Sequence, residues 1–190
     1  PSTICKEIST TQGVLTQIFE ADGGRASLPI DITFDDDLLS PERQAQVFCE
    51  IEEDDPYLIV IAFPCDPWSS VTNLQNKTMV AMKRKKAIIL LKFVAKVIRH
   101  RLERGRHVLA ENPYSSQAWQ LPFLAWLFQD PRIIWTMSHQ CAYGLVDSLL
   151  QLLFKPTRFV TTAMCIANLL ERKCPNTTEY TEHLHAAVMG

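Results

Sequence analysis

Short apolar runs alternate along this chain with stretches whose apolar positions recur at helical spacing, the pattern of a parallel sheet covered by helices on both faces. The first run, residues 3–9, predicts a strand. A helix over 14–21 follows and is stopped by Gly23-Gly24, and residues 28–33 predict a second strand. Ser40-Pro41-Glu42 reads as an N-cap followed by proline at the first helical position, opening a helix to about residue 53. The run Tyr57-Leu58-Ile59-Val60-Ile61-Ala62-Phe63 is a buried strand by composition.

A long helix is expected over 78–104, with Leu90, Leu91, Val94, Val97, Ile98 and Leu102 on its apolar face and Gly105 ending it. Residues 106–110 form the next strand, and 116–129, rich in Trp and Phe, a further helix. Residues 132–137 predict a strand whose antiparallel partner is 154–161, reached through a loop around Tyr143-Gly144. A short helix over 163–170 closes one domain, residues 1–170. Residues 171–190 read as a polar tail.

Composition adds limits to this picture. A chain of 190 residues with 47% hydrophobic and 21% charged residues is an ordinary globular domain, large enough to bury a sizeable core. It contains neither a bilayer-spanning apolar run nor a secretory signal, so no membrane partner is expected. It opens on Pro1 rather than Met, as an excised segment of a longer chain would. Six cysteines without framework spacing imply reduced thiols and a cytoplasmic or nuclear setting.

The net charge is −2, but the charges are segregated. Residues 20–56 hold twelve acids and two arginines; residues 77–107 hold eleven Lys/Arg and one acid, Glu103. A basic block of this kind could follow a phosphate backbone, with Lys83 and Arg84 as candidates, or form a solvated helix face.

Two strand ends carry the candidate chemistry. The strand before Phe63 stops in Pro64-Cys65-Asp66-Pro67-Trp68-Ser69, which presents a thiol between two prolines. The strand over 106–110 stops in Glu111-Asn112-Pro113. Ligands of parallel α/β sheets bind beyond the carboxyl ends of the strands. A thiolate is a nucleophile, and a carboxyl desolvated by a buried strand can carry a proton.

These two loops together resemble those of the cytosine-5 DNA methyltransferases, in the divergent compact form found in retrotransposon polyproteins. The resemblance implies a Rossmann-like, mostly parallel sheet with helices on both faces and a C-terminal antiparallel hairpin. It implies Cys65 as the nucleophile, presented by Pro64, and Glu111 as the acid, with Asn112 shaping its loop. S-adenosylmethionine would be the cofactor, with Gly13 in the turn after the first strand. Asp31 stands where an acid holds ribose hydroxyls, and Asp37 is a candidate for the adenine side. DNA or another nucleic acid would be the partner, met by Ser69, Lys83, Arg84 and, on a hairpin, Lys155 and Arg158.

Other uses of these residues stand beside this one. A non-catalytic retroelement module would bind nucleic acid or another region of a larger polyprotein. A thiol hydrolase would need His107 or His139 near Cys65, and Asn112-Pro113-Tyr114 is a one-proline version of an amino-methyltransferase loop. In the tail, Cys174, His183 and His185 could supply three zinc ligands, with Cys141 or Cys165 as a fourth.

Overall fold

Four apolar runs and one reversed strand assemble into a single sheet in the computed structural model. It describes residues 5–8, 13–31, 37–69, 72, 76–176 and 183–186. In chain order the elements are β1 (Cys5–Ile8), α1 (Val14–Ala21), α2 (Pro41–Asp54), β2 (Leu58–Ala62), α3 (Lys77–Glu103), β3 (His107–Pro113), α4 (Pro122–Ala125), β4 (Ile134–His139), β5 (Leu152–Leu153), β6 (Pro156–Thr161), α5 (Met164–Leu170) and β7 (His185–Ala186). The sheet order is β1-β2-β3-β6-β4, and β5 and β7 form a separate pair. β1, β2 and β3 are parallel, whereas β6 is antiparallel to both β3 and β4. β6 is therefore the one reversed strand of the five. This is the Rossmann-like α/β arrangement expected from the sequence, with the antiparallel pairing of β6 and β4 at its C-terminal side.

Local chemistry sets the element ends. The Ser40 side chain accepts from Arg43 N at 3.3 Å and opens α2, with Pro41 as its first residue. The Asn76 side chain accepts from Thr78 N and Met79 N and opens α3. Gly105, at φ 63, turns the chain out of α3 in a conformation that a side chain disfavours.

Two expectations change. Of the expected strand over 28–33, the described residues give β1 the single bridge Ile8–Ile30, and a second bridge, Cys5–Ala26, falls just before it; residues 32 and 33 lie outside the described residues. Pro29 has no N–H to give to a ladder, which interrupts the pairing. The expected helix over 116–129 is instead a 3-10 turn Gln117–Gln120, the short α4, and a second 3-10 turn Trp126–Phe128. Pro122 forces its predecessor out of the helical region: Leu121 is extended at φ −65, ψ 136. The segment still does a helix's packing, because Trp119, Leu124 and Leu127 are buried.

Because strand side chains alternate, the two faces of the sheet differ. Ile59, Ile61, Val108, Ala110 and Val160 pack against Val47 and Ile51 of α2 and Leu91, Val94, Val97 and Ile98 of α3. The opposite face turns Glu7, Val60, Ala62, Leu109, Glu111 and Phe159 toward α1 and the end of α5, and there it leaves an open cavity.

The segregated charges meet where α2 ends beside α3. Arg101, fully buried, donates to Asp55 Oδ1 at 3.1 Å and to the carbonyl of Pro56; Arg106 also pairs with Asp55, and Arg104 with Glu52. Asp55 caps α2 at φ 38, a left-handed conformation costly for a non-glycine residue. Burial pulls the Arg101 pKa down while Asp55 supports its charge. Removing one partner of such a pair is worse than removing the charge itself. Asp55→Ala should cost about 3 kcal/mol, the low end of the usual range because Asp55 is partly exposed. Arg101→Met should cost less, and urea unfolding midpoints at neutral pH compare the two.

Candidate active site

Cys65 leads out of β2 into a tight turn. Its carbonyl accepts from Trp68 N at 2.9 Å, and residues Asp66–Trp68 form a 3-10 turn whose Pro67 and Trp68 are buried. The buried Thr72 hydroxyl donates to the Asp66 carbonyl, and Thr72 N donates to the Ser69 carbonyl at 3.2 Å. Pro64 and Asp66 face solvent, leaving Cys65 half-buried between them. By contrast the Cys5 thiol is buried in the sheet, where burial first and the charge of Glu7 second push its pKa up to about 11. Cys5 is thereby inert, whereas Cys65 sits at the surface of a braced turn.

The brace comes from α3. Lys83 Nζ pairs with Asp66 Oδ2 at 2.8 Å, and Arg84 Nε donates to the Pro67 carbonyl at 2.9 Å. Arg84 also donates to Gln117 Oε1 at 3.0 Å, and its guanidinium stands 5.4 Å from the Trp68 ring centre. These two basic residues hold the thiol turn. The exposed cations of α3 are instead Lys77, Lys85, Lys86, Lys92, Lys96 and Arg99.

The register of β2 and β3 sets Ala62 beside Glu111. Cys65 follows three residues later, within about 11 Å of Ala62 along the chain. The thiol turn and the carboxyl thus leave the same edge of adjacent parallel strands. Glu111 is half-buried and faces the cavity of about 350 Å³, lined also by Glu7, Val14, Leu15, Val60 and Leu170. Burial raises its pKa above the ordinary carboxylate value, against the opposing pull of Lys155. Asn112, on the other face and fully buried, donates from Nδ2 to the Phe63 carbonyl at 2.6 Å. It ties the Glu111 strand to the residue just before Pro64-Cys65.

The expected cofactor residues cluster less closely. Gly13 precedes α1 at φ 60, and a Cβ there would lie 2.8 Å from Pro29 Cγ, so only glycine fits. Asp31 is buried and follows Ile30, which bridges to Ile8 at the carboxyl end of β1. Asp37 is exposed; its Oδ1 accepts from Leu39 N at 3.0 Å and its carbonyl from Ser40 N at 3.1 Å, so it shapes the entry to α2. Residues 9–12 and 32–36 lie outside the described residues.

Arg158 sits in a cage of rings, its guanidinium carbon 4.4 Å from the centre of Tyr114, 5.1 Å from Phe128, 5.2 Å from Trp135 and 5.9 Å from Trp119. Ser69 lies on the thiol turn, and Lys155 precedes β6 near Glu111. At the far side of the sheet, Cys174, His183 and His185 come together, and Cys141 is the fourth member of the cluster. Cys165 is exposed on α5.

Glu7 was missed by sequence reading. It is 1% exposed, lines the cavity and accepts from Thr16 N at 2.6 Å, thereby capping the first turn of α1. A lone acid inside the apolar run 3–9 was its only signal.

No protein-family model and no curated protein matches the chain. Among solved structures it is similar to the Entamoeba histolytica methyltransferase EhMeth, at 15% identity and a TM-score of 0.45, over 85% of this chain and 52% of that one. The chain thus spans about half the length of that structure. Among the described residues no helix is long and apolar enough to cross a membrane.

The raised Glu111 pKa has a stability consequence whose sign is fixed by linkage. The folded chain holds a proton that the unfolded chain releases at lower pH, so stability falls as pH rises from the unfolded toward the folded value. Glu111→Gln should remove that loss. Its melting temperature should exceed the wild type's at neutral pH, and the difference should shrink below the ordinary carboxylate range, as thermal melts across pH will read.

Proposed function

We propose that this chain is an S-adenosylmethionine-dependent methyltransferase domain acting on carbon 5 of cytosine in DNA, with Cys65 as nucleophile and Glu111 as acid. The observation that carries this reading is the Ala62–Glu111 register, which brings a half-buried thiol turn and a carboxyl of raised pKa to one edge of the sheet, with the carboxyl facing a cavity.

In this reading the Cys65 thiolate attacks carbon 6 of the ring and the 5,6 double bond opens. Glu111, whose pKa burial raises, supports the electron density that develops at ring nitrogen 3. Carbon 5 becomes the nucleophile. S-adenosylmethionine supplies the electrophilic methyl group. The thioether S-adenosylhomocysteine is what that transfer would leave, and loss of the proton from carbon 5 to water then restores the double bond and expels the thiolate. Glu111→Gln keeps a hydrogen bond at nitrogen 3 but cannot deliver a proton.

The cavity suits such a cofactor. About 350 Å³ falls within the usual range for small-molecule sites, and its walls are apolar, with Glu7 and Glu111 the acidic residues among them. Glu7, Val14, Leu15 and Asp31 are the residues that would hold it. A target base would have to leave its duplex to reach Cys65. Lys77, Lys85 and Lys86, exposed on the same stretch of α3 that braces the thiol turn, would take phosphates.

One observation favours a non-catalytic retroelement module instead: Pro29, rather than an open ligand cradle, fills the space beside Gly13. Two measurements separate the readings. Calorimetric titration of the chain with S-adenosylmethionine should give saturable binding; none at millimolar ligand favours the module. An oligonucleotide carrying 5-fluorocytosine should then trap a covalent adduct stable to denaturing electrophoresis. Cys65→Ser should form none, and Glu111→Gln should form it at least about 100-fold more slowly, the usual contribution of a general acid. An adduct that survives Cys65→Ser overturns the assignment.

A further inference from the structure

We infer that Cys141, Cys174, His183 and His185 form a structural zinc site that fastens the C-terminal segment to the sheet. The four residues come from three separated stretches: a turn directly after β4, the loop after α5, and the segment leading into and including β7. Their ligand atoms nonetheless all lie within 4.8 Å of one another.

The spacings match a tetrahedral ion. Bonds of about 2.3 Å to sulfur and 2.0–2.1 Å to nitrogen give ligand–ligand edges of about 3.6 Å for sulfur to nitrogen and 3.3 Å for nitrogen to nitrogen. Here Cys174 Sγ lies 3.4 Å from His183 Nε2 and 3.6 Å from His185 Nε2, and the two Nε2 atoms are 2.9 Å apart. Both imidazoles present the same ring nitrogen to one point. Cys141, buried, has its thiol within hydrogen-bond reach of Cys174. Two thiolates and two imidazoles favour zinc among the common divalent ions, and four protein ligands leave no open position for catalysis.

The surroundings hold the ligands in place. Asn176 N donates to Cys174 Sγ at 3.4 Å, which favours the thiolate. The Asn176 side chain closes the loop on His183, donating to its carbonyl at 2.6 Å and accepting from its N at 3.3 Å. His139 Nδ1 accepts from Cys174 N at 2.9 Å, and the Phe154 ring packs between His139 and His185. Among the described residues, the sheet that carries His185 pairs Leu152 with His185 and Leu153 with Ala186 and no others. Two strands this short do not hold themselves together in water, and a metal clip supplies what they lack.

The test uses the full chain, purified with reductant and without chelator, and reads bound metal directly. Elemental analysis should find about one zinc per chain after gel filtration. Cobalt added to the apoprotein should give the intense visible bands of a tetrahedral ion with thiolate charge transfer. Cys174→Ser and His183→Ala should lower retained zinc at least tenfold, whereas Cys165→Ser and Cys49→Ser, exposed and outside the cluster, should keep it. Asn176→Ala should weaken zinc affinity by about tenfold while preserving the cobalt spectrum. If the ligand variants fail to fold, the wild-type cobalt spectrum decides alone. Substoichiometric zinc, a pale octahedral cobalt spectrum, a Cys141–Cys174 disulfide in the reduced preparation, or undiminished zinc in Cys174→Ser would each overturn the site.

Discussion

The parallel pairing of β2 with β3 is the constraint on which the rest of the domain depends. Both strands bury one face against α2 and α3, and a slip of one residue would turn Ile59, Ile61, Val108 and Ala110 out of the core. The same slip would carry Glu111 to the dry face and Asn112 toward the cavity. Core packing and site geometry are therefore one requirement. The Asn112–Phe63 hydrogen bond adds a second lock at the strand ends, where pairing gives way to the thiol turn.

Around that pairing, charge serves the architecture. α3 commits Lys83 and Arg84 to the Cys65 turn and Arg101 to Asp55, Arg104 just beyond it pairs with Glu52, and α2 also receives Lys6, which pairs with Glu50 and Asp54. Glu52 and Asp55 of the acidic block thus meet Arg101, Arg104 and Arg106 of the basic block across a single interface. What reaches solvent on α3 is Lys77 ahead of these anchors and Lys85, Lys86, Lys92, Lys96 and Arg99 between them.

Much of this was legible in the sequence. The alternation of apolar runs and helical stretches pointed to the sheet, and the bounds of α1, α2 and α3 followed from their caps and stops. Cys65 and Glu111 were visible because each interrupts an apolar strand at its carboxyl end. The antiparallel pairing of β4 with β6 was legible too, but the insertion of β6 beside β3 was not, since it leaves no local pattern. Nor was the fate of the cations: nothing in the one-dimensional charge run separates Lys83 and Arg84, which turn inward, from Lys85 and Lys86, which do not. Prolines accounted for the two misread elements, Pro29 by removing a donor and Pro122 by restricting Leu121. The fourth member of the Cys/His cluster required three-dimensional proximity to choose Cys141 over Cys165.

The reversed β6 has a consequence for the order in which the chain can assemble. β3, the strand that bears Glu111, has one neighbour made before it and another, β6, that begins more than forty residues after it ends. While the chain is being synthesised, β3 is an edge strand with unpaired backbone groups. It becomes central only when β6 slides in beside it, and β4 can join the sheet only through β6. Completion of the sheet is thus a late, long-range step, of the kind that folds slowly. The edge that presents Glu111 acquires its final walls only after nearly the whole domain exists, so the geometry around this carboxyl and the integrity of the C-terminal third of the fold arrive together.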